Sequence, residues 1–510
     1  MLRATTDNLQ TKQDDHRSSR DILTIAAIAF ATILIHLAVG SRYGFNRDEL
    51  SVLEDARHLA WGYVAYPPVT PFLGRMALLL FGTSLVGFRL FAFLAQALAV
   101  FLTGLMAREM GGARRAQIIA TLAAVPFCLG AGTMMQYISF DYLAWVLAAY
   151  FVARFLKTAD PRWFVAIGAA IGLGMLAKYT MLFFAVGLLV AILVTPQRVA
   201  LRTKWPWLGL ALSLLIFLPN LLWQAQHHFV SLDFLKFLHE RDVRTGVTDG
   251  FLAGQFELML LAFPLALAGL YFCGISGEGR KFRPLAWMFL LPLLFFLIAR
   301  GRNYYLAPGY PMLYAAGSVQ LQSWLATFPR RRARTLQAAI FAALLLSIGV
   351  AGAVALPIAP VNSAWWKFSV RHQTAFPEEI GWPEFVANIA EIRDALPAET
   401  HARLAILAEN YGEVGAINLY GPKFNLPRAI SGVNSSWERG YGEPAPQTVI
   451  VVGFSREFAE GHFASCRLAG RTRNDYGVPN EETTERADIF VCGPPRDGWQ
   501  AFWRAFQYFA

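Results

Sequence analysis

Repeated apolar runs, about eleven in all and most of them near the length a helix needs to cross a hydrocarbon core, dictate what this chain can become. They fall near residues 22–40, 84–107, 116–134, 142–156, 163–177, 180–195, 206–222, 251–273, 285–299, 304–326 and 335–356. Only 16% of the 510 residues are charged, against roughly 25% in soluble domains. The sequence therefore predicts a polytopic α-helical membrane protein.

The formal net charge of +10 is a topology signal in such a chain, not a sign of nucleic-acid binding. If the first 21 residues form a disordered cytoplasmic tail, the inner connections carry Arg108, Arg114 and Arg115; Lys157 and Arg162; Arg198, Arg202 and Lys204; Arg280, Lys281 and Arg283; and Arg330, Arg331, Arg332 and Arg334. The opposite short loop MMQYISFD has no Lys or Arg, as the positive-inside rule requires. An odd number of spans then leaves the C-terminal region outside.

Beyond residue 357 the composition changes. LPIAPVNSAWWKF reads as an exit rich in proline and tryptophan, and RLAILAEN, TVIVVGF and ADIFVCGPP are short β-rich runs with helical patterns between them. The predicted organisation is a tail (1–21), a transmembrane domain (22–356, first outside loop 41–83) and an extracytoplasmic α/β domain (357–510). Cys466 and Cys492 lie in that last region and either pair or remain two buried thiols.

Chemistry is expected where charge gathers at the outer membrane surface. The first outside loop holds Arg47, Asp48 and Glu49 at the start of a helical pattern, then Tyr66-Pro67-Pro68, whose prolines predict an extended turn back to the membrane. Asp48 and Glu49 also suit a helix N-terminus, and Asp141, entering the fourth span, also suits an N-cap. Two carboxylates at one water–lipid boundary can instead hold an acceptor, share a metal or act as a general base.

On the same face lie Lys178, between two apolar segments, and ARGRNYYLAPGYP, with Arg302, Tyr304 and Tyr305. An outside loop this basic runs against the topology rule, and a lipid phosphate is its natural anion. Lys178 has a plainer reading, a side chain snorkelling to the interface. The loop 223–246 offers His227 and His228, read either as an interfacial loop that positions substrate through His228 or as part of a divalent metal site.

Taken together, RDE ahead of an aromatic–Pro–Pro turn, a second acid opening a later span, LAKYT and YYLAPGYP resemble the GT-C membrane glycosyltransferases. More narrowly they resemble glycosyltransferase family 39, which includes the protein O-mannosyltransferases and the aminoarabinose transferases of lipid A. The resemblance covers roughly residues 22–330. It implies a GT-C fold and an inverting transfer of a sugar from a polyprenyl-phosphate carrier to a lipid, glycan or protein acceptor of the cell envelope, outside a bacterial cytoplasmic membrane. It maps the catalytic acid onto Asp48 with Glu49 beside it, the second acid onto Asp141, and the phosphate contacts onto Lys178 and the Arg302 region. No Walker-type or dinucleotide glycine motif lies on a proposed inner loop. The competing expectation is a transporter of polyprenyl-linked sugars, although no internal repeat of the kind such proteins often show is visible.

Overall fold

A computed structural model describes residues 19–510; the expected tail lies almost wholly outside them. Seven described helices are long and apolar enough to cross a membrane: Ser19–Val39, Leu85–Glu109, Tyr137–Thr158, Trp205–Gln226, Phe251–Gly274, Arg280–Ile298 and Arg330–Ala355. An eighth is reached if Met181–Leu193 and Pro196–Arg202, bent by 100° to one another, count as one span. The chain is a multi-pass membrane protein, but the expected eleven spans are not all present at full length.

The shortfall has local causes. Trp163–Met175 has 13 residues, about 20 Å of helix against a core of roughly 30 Å. The expected span 304–326 begins as a 3-10 stretch, Asn303–Gly309, with Pro308 inside it, and becomes α-helical only at Tyr310. The proline turn also differs from expectation. Pro68 is helical (φ −80°, ψ −13°) and leads into a further apolar helix, Val69–Phe81, within the first outside loop. Short helices pack through small residues, as helices in lipid do: a Cβ on Gly168 would run into the Gly209 backbone of Trp205–Gln226.

The first outside loop is anchored by polar bonds. Asn46 caps the helix Arg47–Arg57, and Glu49 completes a capping box by accepting from the Asn46 N–H at 3.0 Å. Arg89, fully buried on Leu85–Glu109, donates to both Glu49 oxygens at 2.8 and 2.6 Å and to the carbonyls of Gly40 and Gly44. The loop is thereby fixed to the membrane bundle.

The polar C-terminal region forms a five-stranded sheet. Its strands are β1 (Leu404–Ala408), β2 (Ala429–Ile430), β3 (Thr448–Val452), β4 (Arg467–Arg471) and β5 (Asp488–Cys492), in the order β2-β1-β3-β5-β4. β1 runs parallel to β2 and β3, whereas β5 is antiparallel to both its neighbours. Cys466 and Cys492 form a disulfide. Alternation along the strands sends Leu407, Val449, Val451 and Phe490 to a face covered by Phe463, Trp499 and Phe502. Ile406, Ile450 and Ile489 face the other way, into a core that also contains Leu50, Leu53 and Tyr63 of the first outside loop. The C-terminal sheet and that loop therefore share one apolar core.

Candidate active site

A cavity of about 660 Å³ lies where the first outside loop, the membrane helices and the outer region meet. Its polar lining includes Asp48, Gln136, Tyr137, Lys178, Thr180, Arg241, Asp242, Arg302 and Tyr305. Leu182, Phe183, Leu235, Phe295 and Phe296 supply an apolar flank. Five cations (Lys178, Lys236, Arg241, Arg300 and Arg302) stand against two carboxylates, Asp48 and Asp242. Such a surplus favours an anionic ligand.

Asp48 occupies the first turn of Arg47–Arg57, where the helix dipole suits an anion. Gln136 Nε2 donates to one of its oxygens and the Tyr411 hydroxyl to the other, the latter at 3.0 Å. Burial, with Asp48 next, pushes the Tyr411 phenol up, so it remains a neutral donor.

Glu49, one residue along, does not line the cavity. Arg89 and the Met135 N–H (2.8 Å) occupy its oxygens, so the second acid of the motif is built into the scaffold. Adjacent helical residues point about 100° apart, which is why one carboxylate faces the cavity and the other the core.

Asp141 is also out of the cavity. The helix Tyr137–Thr158 starts four residues before it, with Gln136 at the N-cap. Asp141 is therefore not a cap; it is buried and accepts from Thr180 Oγ1 at 2.9 Å. Thr180 itself lines the cavity, so its hydroxyl links Asp141 to that surface.

Lys178 sits in an aromatic enclosure. Its ammonium is 4.3 Å from the Tyr305 ring centroid, 4.8 Å from Tyr304 and 5.1 Å from Tyr137. Among the described residues it forms no salt bridge. Arg302 is held as a planar fork by Asp242, at 2.5 and 2.9 Å.

The remaining sequence candidates separate. Tyr66 and Pro67 line the cavity, and the Tyr66 hydroxyl donates to Asp55 Oδ2 at 2.6 Å; Pro68 does not line it. Arg47 turns away, binding Glu481 Oε2 at 2.7 Å with its guanidinium 5.1 Å over the Tyr411 ring. His228 is exposed, with φ of 53°, and does not reach the cavity. His227 donates back to the Trp223 carbonyl at 2.8 Å. No three His, Cys, Asp or Glu side chains among the described residues are grouped to hold a metal ion, so the histidine pair does not fit a metal centre.

Sequence reasoning passed over Gln136, Tyr411, Arg241 and Asp242. The last two belong to Val230–Arg244, inside the stretch read as an interfacial loop. Its apolar residues at helical spacing, Phe234, Leu235 and Leu238 ahead of Arg241, were a usable signal. Nothing in sequence marks Tyr411, which lies 363 residues from Asp48.

Residues 65–223 match the family model for dolichyl-phosphate-mannose-protein mannosyltransferase. No curated protein matches the chain. Among solved structures it is similar to ArnT from Cupriavidus metallidurans bound to undecaprenyl phosphate, at 18% identity and a TM-score of 0.57, covering 92% of this chain and 97% of that one. ArnT from the same organism in the apo state is similar at 17% identity and a TM-score of 0.57, over 93% and 98% of the two chains. The archaeal oligosaccharyltransferase AglB from Archaeoglobus fulgidus gives a TM-score of 0.46 at 14% identity, over 84% and 69%. The fold is that of the GT-C membrane glycosyltransferases.

Proposed function

We propose that this chain is an integral-membrane glycosyltransferase that moves a sugar from a polyprenyl-phosphate carrier to a cell-envelope acceptor, with inversion. One arrangement carries the reading: a carboxylate, Asp48, shares a cavity with Lys178 and Arg302, and the wall beside them is apolar. A phosphate with a long hydrocarbon tail fits such a split lining. The undecaprenyl phosphate bound to the similar ArnT has that chemistry.

Asp48 would accept the proton of an acceptor hydroxyl as its oxygen attacks the anomeric carbon. The bond from that carbon to the carrier phosphate breaks, and its electron pair leaves with the phosphate. Lys178, with Arg302 and Arg241, would stabilise the charge growing there. Tyr304 and Tyr305 keep the ammonium of Lys178 in place. Glu49 and Asp141 act on the framework.

The basic loops of one face support a cytoplasmic position for that face. The cavity, the outer sheet and its Cys466–Cys492 bond belong to the opposite side, the periplasmic side of a bacterial inner membrane in this reading.

The test uses protein in nanodiscs, a panel of polyprenyl-phosphate sugars with envelope extract as acceptor, and mass spectrometry of the carrier. Release of free polyprenyl phosphate by the wild type and none by Asp48→Asn is the expected result. Carrier binding without turnover would overturn the reading in favour of transport.

A further inference from the structure

We infer that the outer α/β region supplies part of the active site itself: Tyr411 is a positioning residue that fixes the Asp48 carboxylate. The inference rests on Asp48 being the base of the proposed transfer. It goes further in making the outer region a component of catalysis and not merely a cover.

The contact is built, not grazing. Tyr411 opens the helix Tyr411–Tyr420, directly after β1, and its cap is complete: Asn410 accepts from the Glu413 N–H at 2.9 Å while Glu413 accepts from the Asn410 N–H at 3.1 Å. Asn410 Nδ2 is further tied to Glu482 at 3.1 Å. The first turn that carries Tyr411 is therefore fixed from within its own domain.

This helix lies directly on Arg47–Arg57. A Cβ on Gly415 would run into the Leu50 carbonyl, and one on Gly412 would stand 2.9 Å from Arg47 Cβ. Only the missing side chains at 412 and 415 permit so close an approach. Ion pairs lock the same interface: Arg47 to Glu481 at 2.7 Å, Arg428 to Glu54 at 2.7 Å, and Arg439 to Asp55. Arg57 adds a bond to the Asn418 carbonyl at 3.0 Å. With the Arg47 guanidinium over its ring, Tyr411 has little freedom except to present its hydroxyl to Asp48.

The consequence is chemical. With Gln136 on one oxygen and Tyr411 on the other, the carboxylate is fixed in rotation on the cavity wall. Losing the Tyr411 hydroxyl should therefore free the carboxylate to rotate and slow the chemical step without weakening donor binding.

The experiment compares wild type, Tyr411→Phe, Gly415→Leu and Asp48→Asn in nanodiscs, by carrier release over a range of donor concentrations and by thermal midpoint. Tyr411→Phe should lower kcat roughly 10- to 100-fold, the range expected for one hydrogen bond to a charged group. It should leave the donor KM within about twofold and keep the thermal midpoint. Gly415→Leu, which pushes the helix away while keeping the phenol, should lower kcat in the same way. Wild-type kcat in Tyr411→Phe, with Asp48→Asn inactive, would overturn this inference alone. An active Asp48→Asn would overturn the functional reading beneath it.

Discussion

Glu49 and Arg89 meet at 2.6 Å with neither side chain exposed. They are the polar joint between the first outside loop and the membrane bundle. Removing one member of such a pair leaves a charge buried without its partner, at a cost of roughly 3–5 kcal/mol. Glu49→Ala also loses half of the capping box. It should lower the thermal midpoint sharply and reduce the yield of monodisperse protein, whereas Asp48→Asn one residue away should unfold like the wild type. Equal midpoints for Glu49→Ala and wild type would show that the pair does not anchor the loop.

Glu379 is the third member of that cluster, 3.5 Å from Arg89. Burial pushes its carboxyl up to about 8; Arg89 opposes the shift and Glu49 adds to it. One guanidinium between two buried carboxyls needs only one of them ionised. An unfolded glutamate titrates near about 4.3, so between that value and about 8 the folded state binds the extra proton. The stability Glu379 contributes is full at low pH and declines as pH rises through this window. The thermal midpoint of the wild type should fall between pH 5 and pH 8.5, and Glu379→Gln should flatten the fall. An identical slope in both proteins would remove Glu379 as its source.

These two residues mark what the sequence could and could not convey. The apolar runs and the basic loops are local signals, and they lead directly to a multi-pass protein with a polar C-terminal region. The span count was less legible, because the interruption at Pro308 and the 13-residue helices change length without changing composition. Asp48 and Glu49 look equivalent as text; which one faces the cavity is decided by helix rotation and by Arg89, 40 residues on from Glu49. Asp48, Lys178, Arg302 and Tyr305 meet in one cavity, and the basic outside loop gave the hint. Tyr411 and Gln136 were invisible because their meaning arises only from long-range packing.

Lys178 is surrounded by tyrosine rings and lacks a salt bridge among the described residues, which suits a cation kept available for a ligand. Lys178→Met preserves much of the volume and removes the charge. Loss of one preorganised charge contact in such a site costs on the order of 10²–10³ in rate. Carrier release should fall by that amount and affinity for free polyprenyl phosphate should weaken, with the thermal midpoint nearly unchanged. Undiminished lipid affinity would move the phosphate site elsewhere in the cavity.

Arg302 offers a sharper test, since its fork is already matched to Asp242 at 2.5 and 2.9 Å. A lysine there keeps the charge but cannot reproduce two parallel hydrogen bonds. Arg302→Lys should therefore loosen Val230–Arg244, the helix that carries Asp242, Arg241 and part of the apolar flank. The expected outcome is a donor KM raised roughly tenfold, about 1.4 kcal/mol, with a smaller change in kcat. Hydrogen exchange should rise across 230–244 in the same protein. Unaltered exchange across 230–244 would show that the Arg302–Asp242 fork does not hold that helix.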